Sequence, residues 1–445
     1  MQTGSPSAAP SRSILQRFVA VRPDELGSML WSCGYFFCLL ASYYILRPIR
    51  DEAGVAGGIR NLPWLFTGTM IAMLLVNPPF AALVARLPRA RFVPIAYRFF
   101  ALNLVVFFLL YLLLPEGSRV WVGRAFYLWT SVFNLFVVSV FWGFMADTFD
   151  SEQAKRLFGF IGVGGTLGGI VGSAVTATLV KATGTAALLL ISAALLELAV
   201  FCSRRLAGRF SGQARTATNV PVEQIIGGGA WAGVGQVLRS PYLLGICLYM
   251  LLYTIGSTFL YFQQAAIVSQ AAHAGNARTA LFARIDLMVN VLTVVVQAFL
   301  TGRIIAALGV AATLTIVPAI SILGFLSLGF IPSVLIVVAF QVLRRAGNFA
   351  VARPTREVLY TVVSREEKYK AKAFIDTFIY RLGDQVGAWA NPLLAALGLS
   401  MTGIALVAAP VSGLWLAVGW WLGRRQSALA KERSIPVGEP AVEVS

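Results

Sequence analysis

Charged side chains interrupt long apolar stretches of this 445-residue sequence at a few places. At the first, Arg47, Arg50 and Asp51 surround Pro48 at the end of an apolar run. Charges within such runs usually face a polar cavity or a partner charge, because lipid solvates them poorly. Since Arg47 and Asp51 are four residues apart, we expect them to share a helix face and to pair. Two interpretations remain open here: an arginine pair that binds an anion, or a helix end that reaches the membrane surface.

Two further charged groups lie inside later apolar runs. Arg284 and Asp286 are followed by Asn290, and because they are two residues apart they point to different sides of a helix. Each is therefore expected to have its partner on another helix. Arg381 and Asp384 are three residues apart and share a face, which is consistent with either a cavity wall or a structural ion pair. The predicted substrate-binding residues are Arg47, Arg50, Asp51, Arg284, Asp286, Asn290, Arg381 and Asp384.

The sequence lacks the residue patterns that are typical of catalytic sites and metal sites. It has one histidine, His273, and four cysteines in or beside apolar runs, with no zinc-ligand spacing. No nucleotide-binding P-loop motif is present, which disfavours an ATP-driven pump. We therefore predict no catalytic residue, no metal site, no cofactor and no enzymatic activity.

The elements that position these charges follow from composition. Of the residues, 58% are hydrophobic and 12% are charged, whereas a soluble domain is about 25% charged. The apolar segments are about 20 residues each, which is long enough to cross a bilayer. They predict an all-α membrane protein, because a helix forms all of its backbone hydrogen bonds within the segment and needs none from lipid. We place twelve spans at 27–47, 62–85, 93–114, 121–146, 157–180, 185–203, 241–262, 280–305, 309–329, 332–352, 373–397 and 401–423.

The longest polar interval, 204–240, divides these spans into two sets of six. We predict two six-helix bundles of major facilitator type, at 27–203 and 241–423, with tails at 1–26 and 424–445. A weak repeat supports this division, because a shift of 215 residues aligns Gly168 with Gly383 and Gly172 with Gly387. Duplication of a six-helix unit is how major facilitator proteins are built.

The net charge of +17 is explained by membrane orientation. With the N-terminus in the cytoplasm, 26 of the 36 Lys and Arg residues fall on inner segments and 8 on outer ones. The positive-inside rule therefore places both termini in the cytoplasm, in the inner membrane of a cell. Because this bias accounts for most of the charge and no binding motif accompanies it, we expect no nucleic-acid partner.

Seven glycines lie in the fifth span, among them Gly164, Gly168 and Gly172 at four-residue spacing. This spacing gives a smooth helix face that lets a neighbouring backbone approach closely. We expect the face to serve helix packing rather than phosphate binding.

Several of these segments resemble bacterial members of the ATP/ADP translocase-like nucleotide transporter family, which is itself similar to the major facilitator superfamily. The likeness rests on YYILRPIRDEAGV (43–55), FWGF (141–144) with QAKRLFG (153–159), RTALFARIDLMVNVLT (278–293) and SREEKYKAKAFIDTFIYRLGD (364–384). The resemblance implies that Arg50 and Asp51 match a basic–acidic pair at the end of the first span. It also implies a basic residue in the eleventh span, for which Arg381 is the candidate.

The family's nucleotide exchangers carry an acidic residue in the fourth span. Here Thr130, Ser131 and Asn134 occupy that neighbourhood. We expect a secondary transporter that moves an organic anion, such as a nucleotide, with a coupling proton or a counter-substrate. The alternatives are a proton-coupled major facilitator carrier of an unrelated small molecule, and a non-transporting membrane sensor or assembly protein.

Overall fold

A computed structural model describes residues 22, 25–86, 89–210, 232–364, 367, 371, 372 and 374–434. The described chain is helical. The helices are α1 (Leu26–Ala56), α2 (Leu62–Arg86), α3 (Arg89–Leu113), α4 (Glu116–Thr148), α5 (Ser151–Phe210), α6 (Ala232–Arg239), α7 (Pro241–Ala271), α8 (Gly275–Phe299), α9 (Thr301–Phe330), α10 (Val334–Gly347), α11 (Arg353–Leu359), α12 (Tyr380–Ala396) and α13 (Met401–Ser434). Short π-helical turns, Asn348–Ala352 and Ile375–Ile379, join α10 to α11 and precede α12.

Ten of the described helical stretches are long and apolar enough to cross a membrane. One of them, Arg156–Arg209, holds two crossings, because Gly184 breaks it with a positive φ of 76°. The turn Ile375–Ile379 and α12 supply one further crossing, which carries Arg381 and Asp384. The described chain is therefore consistent with the twelve spans expected.

Gly184 reverses the direction of the chain. The arm of α5 before it runs parallel to α1, since Gly164 meets Cys33 and Gly172 meets Ala41. The arm after it runs antiparallel to α1, since Ser192 hydrogen-bonds Ser42 and Cys202 lies beside Gly34. Only glycine adopts this positive φ without strain, so a side chain here would oppose the reversal. We call the face where α1 begins the terminal face, and the opposite one the distal face.

The glycine-rich arm of α5 packs directly on the backbone of α1, as the spacing predicts. A Cβ at Gly168 would collide with the carbonyl oxygen of Phe37, and one at Gly172 with that of Ala41. The backbones approach this closely because neither glycine has a side chain to separate them. The predicted role in helix packing is confirmed.

The C-terminal half repeats this arrangement. A Cβ at Gly383 of α12 would lie within 3.0 Å of the Leu251 carbonyl oxygen and collide with the Thr254 hydroxyl. Gly387, one turn later, meets the Ile255 backbone in the same way. Helix α12 therefore packs on α7 as α5 packs on α1, at the glycines that the 215-residue shift aligns. The fold is two helical bundles, α1–α5 and α7–α13.

Several helices extend beyond the predicted spans. Helix α13 continues to Ser434, eleven residues past the predicted end at 423. The tenth crossing continues from α10 through its π-helical turn into α11, so Arg344 and Arg345 lie within it. We count both arginines among the 26 basic residues on inner segments, and that count is wrong for them, because they lie inside the crossing, as the predicted span 332–352 itself implies. Residues 211–231 of the predicted linker lie outside the described residues.

Candidate substrate cavity

A cavity of about 260 Å³ lies between the two bundles, with walls from α1, α2, α4, α7 and α12. Charged, aromatic and neutral polar side chains share its lining: Arg50, Arg381, Asp384, Phe66, Tyr127, Tyr261, Tyr380, Ser131, Asn134, Thr258 and Gln385. We call it the first cavity. Two arginines reach the lining, Arg50 beside Asp51 and Arg381 beside Asp384, and their guanidinium groups are donors that suit an oxyanion.

Arg50 enters the first cavity from the distal half of α1. Its Nη2 donates a 2.6 Å hydrogen bond to Oδ1 of Asp51, and its guanidinium lies 5.3 Å from the centre of the Tyr127 ring. The Tyr261 hydroxyl of the opposite bundle donates to the same Asp51 oxygen at 3.4 Å. Two bundles therefore hold one charge pair, with the arginine on the cavity wall.

Arg381 and Asp384 face the same cavity from α12, as their three-residue spacing predicts. Arg381 Nη1 lies 3.4 Å from Asp384 Oδ2, and the Thr258 hydroxyl donates to Asp384 Oδ1 at 3.4 Å. Both contacts are long, and Arg381 is about one-third exposed. Arg381 is therefore a guanidinium that an incoming anion can approach.

Asp286 occupies a separate charged cluster. Its Oδ1 accepts from Arg345 Nη1 at 2.7 Å and lies 3.4 Å from Arg47 Nη1. The predicted pairing of Arg47 with Asp51 is wrong, because Arg50 takes Asp51 while Arg47 reaches across to α8. Sequence reasoning missed Arg345, although two adjacent arginines within the predicted span 332–352 were the available signal.

Arg284 does not join the other charges. Its side chain is exposed whereas Asp286 is buried, since residues two apart on a helix lie on different sides. Asn290, two turns from Arg284, does face the interior: it is buried and lies 3.5 Å from the Ser173 hydroxyl of the other bundle.

A second cavity, of about 480 Å³, is lined by α1, α5, α8 and the α10–α11 crossing. Its lining includes Tyr44, Asn290, Thr293, Gln297 and Arg353. It extends from the level of Asn290 towards the terminal face, since α8 runs in that direction.

Contacts between the bundles cluster at the distal side of both cavities. Arg278 of α8 pairs with Glu52 of α1 at 2.7 Å. Thr67 of α2 hydrogen-bonds both Gln385 and Trp389 of α12. The ring of Trp389 also packs edge-on against Trp64, with 4.9 Å between the ring centres. These contacts hold the bundles together beyond the cavities, which lie between this seal and the terminal face.

The described residues offer no cluster of three or more His, Cys, Asp or Glu side chains suited to a metal. The side chains that line the first cavity are suited to ligand binding. Guanidinium groups can bind an oxyanion, aromatic rings can stack, and amides and hydroxyls can form hydrogen bonds.

Two known proteins align with most of this chain. The chain is 22% identical over 435 residues to ADP,ATP carrier protein 1 of Chlamydia muridarum (strain MoPn / Nigg), with 83% of this chain and 82% of that protein covered. It is 23% identical over 437 residues to the protein of the same name from Chlamydia trachomatis serovar D, at the same coverage. No family model matches the chain.

Solved structures of transporters superpose on about nine-tenths of the chain. The POT family transporter PepTSo gives a TM-score of 0.61 at 16% identity, covering 90% of this chain and 98% of that one. The nucleoside transporter NupG gives 0.56 at 13% identity, covering 91% and 99%. The chain has the major facilitator fold. The predictions of this fold, of a multi-pass membrane protein, and of a transporter rather than an enzyme are confirmed.

Proposed function

We propose that this protein moves an organic anion, with a nucleotide as the first candidate, across the membrane by alternating access. Arg50 and Arg381 bind the anion in the first cavity, and Asp51 and Asp384 pair with them when the cavity is empty. The observation that carries the proposal is this cavity between two bundles, with an arginine on its wall from each bundle. Substrate sites of major facilitator proteins lie at the interface between the repeats.

The aromatic lining favours a nucleotide among organic anions. Tyr127, Tyr261 and Tyr380 offer ring faces on which a base stacks, while Asn134 and Gln385 offer amides for its polar edge. The arginines supply the planar donors that suit phosphate oxygens. Two relatives named ADP,ATP carriers support the same substrate class.

The distal seal suggests how the carrier works. With Trp64, Thr67 and Glu52 closed on the opposite bundle, the cavities are reached from the terminal face, and transport requires this seal to open. We propose that the units 27–203 and 241–423 rock against each other about the linker 204–240. The basic bias of the sequence supports tails 1–26 and 424–445 in the cytoplasm and a place in the inner membrane.

Uptake into proteoliposomes tests the proposal. The purified full chain is reconstituted with internal ADP, and entry of labelled ATP, ADP, AMP, sugar phosphates and dicarboxylates is measured. We expect saturable uptake of a nucleotide. Arg50→Gln and Arg381→Gln should each reduce it by at least about tenfold, because each removes a hydrogen bond from a charged donor to the anion.

Arg284→Gln is the matched control, since it removes an exposed arginine from α8 and should leave uptake unchanged. Undiminished uptake in both cavity variants would refute the site, and absence of uptake of any anion by the wild type would refute the function. An imposed proton gradient that drives uptake without internal ADP would favour proton coupling over exchange.

A further inference from the structure

Arg345 lies where α1, α8 and α10 meet, outside the first cavity. We propose that Arg345 and Arg47 form a second oxyanion subsite, which takes an anionic group of the transported molecule, and that Asp286 fills this subsite in the empty carrier. The inference rests on the proposed function and extends it to a binding residue on α10.

The charge balance of the cluster supports a missing anion. Two guanidinium groups converge on a single oxygen of Asp286, whose side chain is 2% exposed. One carboxylate therefore neutralises two arginines. Arg344, the preceding residue on α10, is buried and donates to two neutral acceptors, the Ser321 hydroxyl and the Tyr253 carbonyl oxygen. A net positive charge in a membrane interior favours an anion that brings more negative charge to the two arginines than one carboxylate does.

The hydrogen bonds of the cluster are also incomplete. Arg47 Nε, Arg345 Nη2 and Asp286 Oδ2 are all buried without a hydrogen-bond partner. An unpaired buried donor costs about 1–3 kcal/mol, and more where the group is charged. An oxyanion that replaces Asp286 would present several acceptor oxygens to both guanidinium groups, as carboxylate and phosphoryl groups do. The two guanidinium groups are therefore better satisfied by such a ligand than by Asp286 alone.

The second cavity provides the route to this subsite. Tyr44 lies one turn before Arg47 and Asn290 one turn after Asp286, and both line that cavity. The Arg47 guanidinium sits 5.9 Å from the centre of the Tyr44 ring. Thr293, another lining residue, carries a buried hydroxyl without a partner. A ligand that enters from the terminal face reaches the cluster past these polar groups.

The cluster also joins the bundles, because Arg47 belongs to one and Asp286 and Arg345 to the other. When Asp286 holds Arg47, the empty carrier is tied across its interface. An anion that displaces Asp286 removes this tie, so reorientation becomes dependent on bound substrate. The geometry thus provides for exchange rather than net flow.

Binding to the purified full chain tests the subsite. Titrations with ADP, adenosine and inorganic phosphate are compared for the wild type, Arg345→Gln, Arg345→Lys and the control Arg284→Gln. We expect Arg345→Gln to weaken ADP binding by about tenfold or more and to leave adenosine binding unchanged. The ADP affinity of Arg345→Lys should lie between those of the wild type and Arg345→Gln, because lysine keeps the charge but lacks the planar set of donors.

Unchanged ADP affinity in Arg345→Gln, or an equal loss for ADP and adenosine, would overturn the subsite. A loss confined to inorganic phosphate would overturn its assignment to the transported molecule. Asp286→Asn is the second variant, for the case that Arg345→Gln does not fold. It should raise efflux of loaded nucleotide into substrate-free buffer several-fold, and efflux that still requires external substrate would count against the inference.

These outcomes separate the two proposals. Arg345-dependent binding without transport of any anion would refute the proposed function alone. Transport and ADP affinity that are both intact in Arg345→Gln would refute the subsite alone.

Discussion

At the scale of single residues, Tyr127 lines the first cavity and also contacts the charged group of Arg50. Its ring is buried in the wall of the first cavity and lies under the Arg50 guanidinium. A cation over an aromatic ring gains about 0.5–2 kcal/mol, according to how far both are desolvated. The ring therefore positions the arginine, and under the proposed function it also offers a surface to the substrate.

We predict that Tyr127→Phe keeps nucleotide affinity within about threefold, because the ring persists, whereas Tyr127→Leu weakens it by about tenfold. Titration calorimetry with ADP on both variants measures this difference. Similar affinities for the two variants would mean that the ring neither stacks on the base nor positions Arg50.

The neutral residues of α4 bear on the same site. Ser131 and Asn134 line the first cavity, at the level where the family's nucleotide exchangers have an acid. Here the cavity thus gains hydrogen-bonding groups without added negative charge. An acidic residue at this position would instead add a negative charge close to where we propose that the anion binds.

At the scale of helices, glycine determines how closely neighbours pack. Gly168 and Gly383 take equivalent places in the two bundles, each against the backbone of the bundle's first helix. These helices, α1 and α7, supply Arg50 and Tyr261 to the first cavity. The glycine contacts therefore fix the helices that carry the site.

We predict that Gly168→Val destabilises the protein by about 1–3 kcal/mol, because its side chain must displace the α1 backbone. Gly162→Val on the same arm is the control, since a Cβ there meets nothing within 4 Å. Thermal unfolding in detergent compares the midpoints, and equal midpoints would contradict the packing described here.

The start of α1 is fixed by a charge pair at the terminal face. Glu25 is buried and accepts hydrogen bonds from both terminal nitrogens of Arg156, at 3.1 and 2.9 Å. Burial acts to raise the pKa of Glu25, but the hydrogen bonds from Arg156, the Arg22 backbone and Gln153 outweigh it and hold the pKa below its ordinary value. A carboxylate with a lowered pKa stabilises the fold above its ordinary pKa and loses that effect as the pH falls through the lowered value.

We therefore predict that Glu25→Gln lowers the thermal midpoint at neutral pH and that the difference from the wild type shrinks in acid. Midpoints measured from neutral pH down to below pH 4 check the sign. A difference that persists unchanged into acid would show that the charge of Glu25 does not stabilise α1.

At the scale of the whole molecule, the arrangement is asymmetric across the membrane. The bundles touch through Trp64, Thr67 and Glu52 on the distal side, while the second cavity extends towards the terminal face. Alternating access requires a second state in which this asymmetry is reversed. The seal combines these polar contacts with a buried apolar cluster to which both bundles contribute, with Leu65 on one side and Phe262 and Phe282 on the other. Opening must separate this cluster as well as the polar pairs.

Labelling of single cysteines tests this asymmetry in a chain whose four cysteines are replaced by serine. With no substrate, Gln297→Cys in the second cavity should react with an impermeant maleimide from the terminal face, and Thr67→Cys should not react from either side. Added substrate should increase labelling of Thr67→Cys from the distal face. Strong labelling of Thr67→Cys without substrate would contradict a closed seal.

The sequence determined what depends on local pattern. Apolar runs of spanning length predict the crossings, because lipid forces each segment to satisfy its own backbone, and four-residue glycine spacing predicts the contact of α5 with α1. Arg381 and Asp384 pair as their spacing predicts, since both lie on one turn of one helix.

Only the tertiary structure decided which charges meet between helices. Arg47 and Asp51 share a helix face, yet Arg47 turns to Asp286, 239 residues further along the chain. Arg345 lies inside the predicted span 332–352, and only the packing of α10 against α8 places it beside Asp286. Arg284 lies two residues from Asp286 on the same helix and also carries a charge, but its side chain is exposed. Spacing along one helix fixes which face a side chain occupies, but the partner on that face is set by the packing of the bundles.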